Sequence, residues 1–80
     1  MVVKILGFGV VKEIFGSSFI GLEVPATVTA GDIKTLLEQQ YPRLKQLVSF
    51  IIAVNSEIAG AGDVINTNDE IAVIPPVSGG

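Results

Sequence analysis

The 80-residue sequence contains no cysteine, no histidine and no tryptophan. Without cysteine it has no disulfide, no thiolate nucleophile and no cysteine-ligated zinc site, and without histidine it has no serine–histidine or cysteine–histidine pair. Catalysis by the chain alone would have to use carboxylates, lysines and its one tyrosine. The lack of cysteine also removes any sign of an oxidising compartment.

Long apolar runs and clusters of basic residues are missing too. The apolar stretch LVSFIIAV, at 47–54, already contains a serine and is far shorter than a membrane span. The opening ILGFGVV imitates the core of a signal peptide, but Lys12 and Glu13 end it and no clean cleavage site follows. The net charge is −3, with no basic run of the kind that binds phosphates. We therefore expect a cytoplasmic protein that binds neither nucleic acid nor membrane.

Apolar residues make up 49% of the chain, which is a high fraction for one small domain. A domain of this size buries only about 60–65% of the surface that its unfolded chain exposes, so some apolar surface stays accessible. Clustered exposed apolar residues usually mark an interface. The composition therefore predicts a protein partner.

Hydrophobic periodicity predicts one main helix and several short strands. Thr29 is placed to cap the helix, with Asp32 three residues later as in a capping box, and Pro42 ends it. One apolar stripe runs along this helix, formed by Ile33, Leu36, Leu37 and Tyr41. Strands are predicted at 2–8, 19–24, 50–55 and 70–75, with a helical turn at 11–16, a short return strand within 56–60 and a loop at 59–69.

This order of elements is the β-grasp arrangement, an α+β fold in which one main helix packs on a mixed sheet of four to five strands. We expect the β-grasp domain to span residues 1–74 and a flexible C-terminal tail to span residues 75–80. A ferredoxin-like fold is the alternative, but it needs a second long helix, which the pattern does not contain.

The alternation of side chains along the strands predicts which face of the sheet meets solvent. Lys4 shares a face of the first strand with Phe8, and lysine is rarely buried. Glu70 shares a face of the last strand with Ile74. Because these two strands are neighbours in a β-grasp sheet, we expect Phe8 and Ile74 to form one exposed apolar patch beside the tail. The alternative is a bulge at one of the neighbouring glycines, which would reverse the alternation and bury Phe8.

Motifs within the predicted domain do not indicate catalysis. Gly7-Phe8-Gly9 lacks the final glycine of a dinucleotide-binding loop, whose position is occupied by Lys12, and a bend is the simpler interpretation. The eight carboxylates are scattered singly, which is typical of solvated surface acids rather than of a paired acid–base site. Residues 63–69 lack the spacing and the closing glutamate of a calcium loop, so we expect no metal site.

Unlike the motifs within the predicted domain, the tail has a composition that suits a chemical role. It is made of two prolines, one apolar residue and three small residues: Pro75, Pro76, Val77, Ser78, Gly79 and Gly80. The prolines lack backbone donors and stiffen the exit from the last strand, and an extended tail reaches about 15–20 Å. Such a thin end can carry the terminal carboxylate into a narrow pocket, where any chemistry is acyl chemistry on Gly80. The alternative is an inert, frayed terminus.

The ending DEIAVIPPVSGG resembles the C-terminal signature of the small, sulfur-carrying subunit of molybdopterin synthase, a ubiquitin-like family. The KILGF opening, VKEIFG and the VN turn extend the resemblance over essentially the whole chain. The chain departs from the family pattern at Gly7, Gly9, Lys12 and Asn68, and none of these positions lies in the tail.

The resemblance implies a β-grasp fold and a definite mechanism. A ubiquitin-E1-like enzyme uses ATP and Mg²⁺ to adenylate Gly80, so the cofactors belong to that partner and this chain binds none. A sulfur donor protein then displaces AMP and leaves a Gly80 thiocarboxylate, with Gly79 beside it. The tail from Pro75 to Ser78 inserts into the large subunit, and the sulfur passes to a cyclic pyranopterin precursor. The resemblance makes the chain part of a sulfurtransferase heterotetramer, without catalysis of its own.

The resemblance further implies that both partners dock on an apolar sheet surface formed by Phe8, Ile58 and Ile74. Other functions stay open. A sulfur carrier for thiamine or another sulfur pathway, and a ubiquitin-like protein modifier, also end in two glycines, although the PPVSGG form favours the molybdopterin family. A non-catalytic interaction module with a passive tail is the alternative from a different class.

Overall fold

The computed structural model of the protein describes residues 1–47 and 50–75. These ranges contain β1 (Val2–Gly7), α1 (Val10–Phe15), β2 (Phe19–Glu23), β3 (Val28–Thr29), α2 (Ala30–Gln40), a 3-10 helix (Pro42–Gln46), β4 (Ile51–Val54), β5 (Glu57–Ile58), β6 (Val64–Ile65) and β7 (Ile71–Ile74). The four predicted strands, the return strand, the helical turn and the main helix are confirmed. The four strands end within one residue of the predicted limits.

One mixed sheet carries five strands in the order β2-β1-β7-β4-β5. The first and last strands, β1 and β7, run parallel at its centre, and the other neighbouring pairs are antiparallel. The register of the central pair places Leu6 opposite Ala72 and Gly7 opposite Val73. With α2 packed on one face, this is the β-grasp fold that the sequence predicts.

The helix α2 supplies one wall of the core. Ile33 and Leu37 are completely buried, and they belong to one apolar cluster with the inward side chains of the central strands, Val3, Ile5, Ile71 and Val73. Thr29 accepts a hydrogen bond from the Asp32 amide and Asp32 accepts one from the Thr29 amide, so the predicted capping box is present. Neither of the two described α-helices is long and apolar enough to cross a membrane.

The short helix α1 links β1 to β2 and closes one end of the core. Gly16 ends it in a left-handed conformation with φ of 78°, which glycine adopts without steric cost. Phe15 packs against Tyr41, with ring centroids 5.0 Å apart. A β-carbon on Gly7 would lie 2.8 Å from the Phe15 ring, so the glycine makes room for that ring.

A second, two-stranded sheet, which the sequence did not predict, joins the segment before α2 to the predicted loop at 59–69. β3 and β6 pair antiparallel, with Val28 opposite Ile65 and Thr29 opposite Val64. The predicted loop at 59–69 is therefore wrong at Val64–Ile65. Val28 and Ile65 are each only 1% exposed, so they extend the core beneath the start of α2. Two-residue strands are too short for periodicity to reveal them.

Candidate functional site

The face of the main sheet opposite α2, here called the outer face, carries a row of apolar side chains across all five strands. Strand pairing connects Phe19 to Leu6, Leu6 to Ala72, Ala72 to Ala53 and Ala53 to Ile58. Directly paired residues project from the same face of a sheet. Ile58 is 75% exposed at one end of the row and Phe19 is 50% exposed at the other. The row is thus an apolar band with accessible ends.

A second apolar row lies at the end of the sheet where the chain leaves β7. Ile74 pairs with Ile51, and Phe8 follows Gly7, the residue that pairs with Val73. Phe8, Ile51 and Ile74 are 50%, 40% and 37% exposed. The predicted exposure of Phe8 and Ile74 is confirmed, and the alternative in which a bulge buries Phe8 is wrong.

Two members of this surface were missed by the sequence analysis. Ile51 escaped because β4 contains no charged residue to mark its solvent face, and only its pairing with Ile74 places it outside. Phe19 escaped because its strand was assigned by the inward set Ile20, Leu22 and Val24, so the exposure of its first residue was not considered. Strand alternation alone could have found Phe19, since it lies on the same side as Glu23.

One cation is held against the outer face. The Lys4 ammonium nitrogen lies 4.4 Å from the centre of the Phe19 ring, within the range of a cation–π interaction. The lysine is on β1 and the ring is on the edge strand β2, so the contact joins two neighbouring strands. It places a positive charge beside the apolar row without interrupting it.

The exit of the tail is fixed at its first residue. Pro75 follows Ile74 and is partly buried. A β-carbon built on Gly9 would lie 3.3 Å from Cγ of the Pro75 ring, so the ring rests on the backbone at Gly9. The tail therefore begins beside Phe8, at the exposed second row. The other predicted tail residues, Pro76, Val77, Ser78, Gly79 and Gly80, lie outside the described part of the chain.

Polar side chains cluster at the opposite end of β7. Asp69 accepts hydrogen bonds from the Asn66 amide at 2.8 Å and from the Asn55 side-chain amide at 3.0 Å. These two bonds, in that order of importance, lower the pKa of the Asp69 carboxyl below its ordinary value of 3.8. Asn55 also accepts a bond from the Glu70 amide at 3.0 Å, which ties the β4–β5 turn to the start of β7.

This polar end borders a cleft but lacks the features of a metal centre. The cleft has a volume of about 400 Å³ and is lined by Asn55, Glu57, Ile58, Asp63, Asp69 and their neighbours. Among residues 1–47 and 50–75, no group of three or more acidic side chains is arranged to hold a metal ion. The described residues thus form an exposed apolar surface on the outer face, and this surface reaches the point where the tail begins.

Comparison with known proteins shows that the chain is similar, over nearly its whole length, to members of one family. The model of a family described as the ThiS family matches residues 5–80. The molybdopterin synthase sulfur carrier subunit of Dictyostelium discoideum is 42% identical over 81 residues, covering 96% of this chain and 94% of that protein. The subunit of the same name from Homo sapiens is 38% identical over 82 residues, covering 98% and 93%.

Solved structures match the fold over its full length. Small archaeal modifier protein 1 (SAMP1) from Haloferax volcanii superposes with a TM-score of 0.83 at 27% identity, covering 100% of both chains. A chain in the complex of subunits 1 and 2 of the molybdopterin-converting factor from Helicobacter pylori superposes with a TM-score of 0.69 at 21% identity, again covering 100% of both chains. The second likeness bears on the fold alone.

Proposed function

The chain belongs to the ThiS family, and we propose that within this family it is the sulfur carrier subunit of molybdopterin synthase, acting in molybdenum cofactor biosynthesis. The observation that carries the proposal is the 42% identity, over nearly the whole of both chains, to a relative with that name. The ending PPVSGG, at 75–80, supplies the group that such a carrier needs.

The proposed chemistry takes place on the Gly80 carboxylate. An E1-like partner binds ATP and Mg²⁺, and a carboxylate oxygen attacks the α-phosphate and releases pyrophosphate. The terminal sulfur of a persulfide on the donor protein displaces AMP, and a thiol reduces the resulting acyl disulfide to release the thiocarboxylate. Adenylation is needed because a free carboxylate is not electrophilic, and the thiocarboxylate is a soft anionic nucleophile that can attack the cyclic pyranopterin precursor. Gly79 leaves the end thin enough to enter an active site.

The partner surface of the proposal is the outer face. Phe8, Ile58 and Ile74 are exposed apolar residues on that face, and Ile51 completes the patch around Ile74. Exposed apolar residues clustered on one face are typical of protein interfaces. A large subunit docked there receives the tail from Pro75 onward, since the chain leaves the sheet at the same end. Reaction groups that this chain lacks are then supplied by the large subunit.

Two changes at the C-terminus test the proposal. One variant lacks Gly80 and another carries one extra residue after it, and both retain every described residue. We expect both to bind the large subunit with wild-type affinity and to form no molybdopterin when the activating enzyme, ATP, the sulfur donor and the precursor are supplied. Molybdopterin formation by either variant at the wild-type rate would contradict the proposal and favour a passive interaction module.

A second candidate function is covalent protein modification. The structural match to small archaeal modifier protein 1 favours it, because a modifier needs the same fold and the same thin end. The two functions differ in the fate of the activated Gly80: a carrier transfers sulfur, whereas a modifier forms an amide with a lysine of another protein. Denaturing electrophoresis of tagged protein from cells separates them, since only a modifier gives a ladder of heavier conjugates that the Gly80 deletion abolishes.

A carrier for thiamine is distinguished by supplying the thiamine pathway in place of molybdopterin synthase.

A further inference from the structure

We propose that Gly9 is a positioning residue for sulfur transfer. Pro75 packs on the backbone of Gly9, which has no side chain, and this contact sets where and in which direction the tail leaves the domain. The inference rests on the proposed function, since it concerns how the tail of a sulfur carrier reaches a partner's active site. It assigns a role to a residue of the Gly7-Phe8-Gly9 bend that neither the docking face nor the core explains.

The backbone at Gly9 has a conformation that other residues avoid. Its φ is 55° and its ψ is −128°, which is the mirror image of the ordinary extended region. Glycine populates this region readily, whereas a β-carbon makes it unfavourable for L-residues. The conformation is held from both sides, since the Val11 amide donates to the Phe8 carbonyl and the Lys12 amide donates to the Gly9 carbonyl. The bend therefore offers a fixed surface.

Pro75 lies on that surface. The distance of 3.3 Å between Cγ of its ring and a β-carbon built on Gly9 is tighter than an ordinary van der Waals contact. A side chain at position 9 would thus need a different φ and a displaced proline ring at the same time. Because proline has a fixed φ, a displaced ring also turns the chain that follows it. Gly9 acts through Pro75 rather than on the reacting atoms.

The direction of exit matters because the tail is long relative to its base. When the outer face is docked, the position of the domain is fixed, so the point that the tail reaches depends on the direction in which the chain leaves the sheet at Pro75. An extended segment of five residues spans roughly 17 Å, so a turn of about 10° at its base moves the far end by about 3 Å. Misplacement by about 1 Å can cost on the order of 100-fold in rate. We expect a loss of about tenfold in the rate of sulfur transfer.

Gly16 provides a matched control. Like Gly9 it flanks α1 and has a positive φ, of 78°, but a β-carbon there would meet nothing within 4 Å. Gly16→Ala therefore introduces backbone strain at the other end of the same helix without contacting Pro75, although the left-handed α conformation of Gly16 costs an L-residue less than the conformation of Gly9. The melting temperature of Gly16→Ala shows how much backbone strain at this helix destabilises the fold. Its rate of sulfur transfer shows whether such strain slows transfer when Pro75 is not displaced.

The experiment compares wild type, Gly9→Ala, Gly16→Ala, Pro75→Ala and the Gly9→Ala/Pro75→Ala double variant. For each, affinity for the large subunit and the rate of sulfur transfer from the charged carrier are measured separately. Gly9→Ala is expected to bind within about twofold of wild type, since Phe8, Ile58 and Ile74 are retained, and to transfer sulfur about tenfold more slowly. In the Pro75→Ala background the additional loss should be much smaller, because the ring that Gly9 supports is absent.

The inference is overturned if Gly9→Ala transfers sulfur as fast as Gly16→Ala, or if the Gly9 and Pro75 effects simply multiply. If Gly9→Ala does not fold, Pro75→Ala is compared with Pro76→Ala, which removes a proline ring from the next residue of the same tail. Slower transfer by Pro75→Ala than by Pro76→Ala supports the proposal, and equal transfer by the two variants refutes it. Failure of the proposed function has a different signature. In that case the wild-type chain itself acquires no sulfur, and the inference falls with it.

Discussion

Asp69 shows how much order one exposed side chain imposes on a turn. Its carboxylate accepts hydrogen bonds from the Asn66 backbone amide and from the Asn55 side-chain amide. The Asn55 side chain in turn accepts a hydrogen bond from the Glu70 backbone amide, just before β7. Asn55 itself has φ of 53°, a left-handed value that asparagine tolerates better than most residues. The sequence predicted a loop at 59–69, but it did not predict the link from Asp69 to Asn55, because these residues are 14 positions apart and no local pattern joins them.

The lowered pKa of Asp69 predicts a pH dependence of stability. A carboxyl whose pKa is lower in the folded than in the unfolded state stabilises the fold above its ordinary value of 3.8, and this contribution is lost as the pH falls through the folded value. We expect Asp69→Asn to lower the melting temperature at pH 7 and to have a smaller effect well below pH 3.8. Thermal unfolding of both proteins at the two pH values checks this, and an equal difference at both would contradict it.

The contact between Gly7 and Phe15 predicts a stability loss. In Gly7→Ala the new methyl group lies 2.8 Å from the Phe15 ring and 3.2 Å from the Lys12 amide nitrogen. Overpacking of this kind costs about 1–3 kcal/mol, and each kcal/mol lowers the melting temperature of a domain this small by about 4–8 °C. Calorimetry measures the shift.

Gly62→Ala is the control for that substitution, because a β-carbon at Gly62 meets nothing within 4 Å. Its melting temperature should stay close to that of wild type. The steric explanation also requires that Phe15→Leu, which shortens the ring side chain, reduce the cost of Gly7→Ala. Equal costs in the two backgrounds would mean that the ring is not the obstacle.

At the scale of elements, α2 was the most predictable part of the chain. Its cap, its buried stripe and its end at Pro42 depend on residues within three or four positions of each other, so the sequence carries the whole pattern. The strands of the main sheet were recognised for the same reason. β3 and β6 were not. Each has two residues, as β5 does, but β5 follows directly on the turn after β4, whereas β3 and β6 pair segments more than 30 positions apart. Such a pairing is determined by the packing of Val28 and Ile65 into the core, not by local propensity.

The capping box at the start of α2 predicts the effect of Thr29→Ala. The substitution removes the acceptor of the Asp32 amide, whose hydrogen bond to the threonine oxygen is 3.2 Å long. Loss of an N-cap costs about 1 kcal/mol. Denaturant unfolding should show that loss, whereas Thr27→Ala, at an exposed site two residues earlier, should not. An equal loss of unfolding free energy in the two variants would mean that the missing N-cap is not the cause.

At the scale of the whole molecule, the fold brings the first and the last strand together. β1 and β7 lie side by side, so Phe8, near the N-terminus, is next to Ile74 and the start of the tail. The sequence predicted this neighbourhood once the β-grasp order was recognised. It did not predict the extension of the apolar face to Ile51, because that depends on register between strands. Phe19 was overlooked although its alternation with Glu23 places it on the outer face.

The docking role of the outer face stays a prediction, and truncation tests it. Phe8→Ala and Ile74→Ala should each weaken binding to the large subunit by about tenfold or more, as expected for apolar anchors near the centre of an interface. Val64→Ala is the matched control, since Val64 is 60% exposed but lies on β6 in the other sheet. Isothermal titration calorimetry gives the affinities. Unchanged binding by both outer-face variants would assign docking to another surface.

The central claim, that Gly80 carries sulfur, is tested most directly by the intact mass of the protein. The chain is incubated with its activating enzyme, ATP, Mg²⁺ and a persulfide donor, and the C-terminal peptide is then analysed. The account predicts a mass increase equal to the difference between one sulfur and one oxygen atom, located at Gly80, dependent on ATP and absent from the variant without Gly80. An unchanged mass, with an activating enzyme that charges another carrier in parallel, would contradict it.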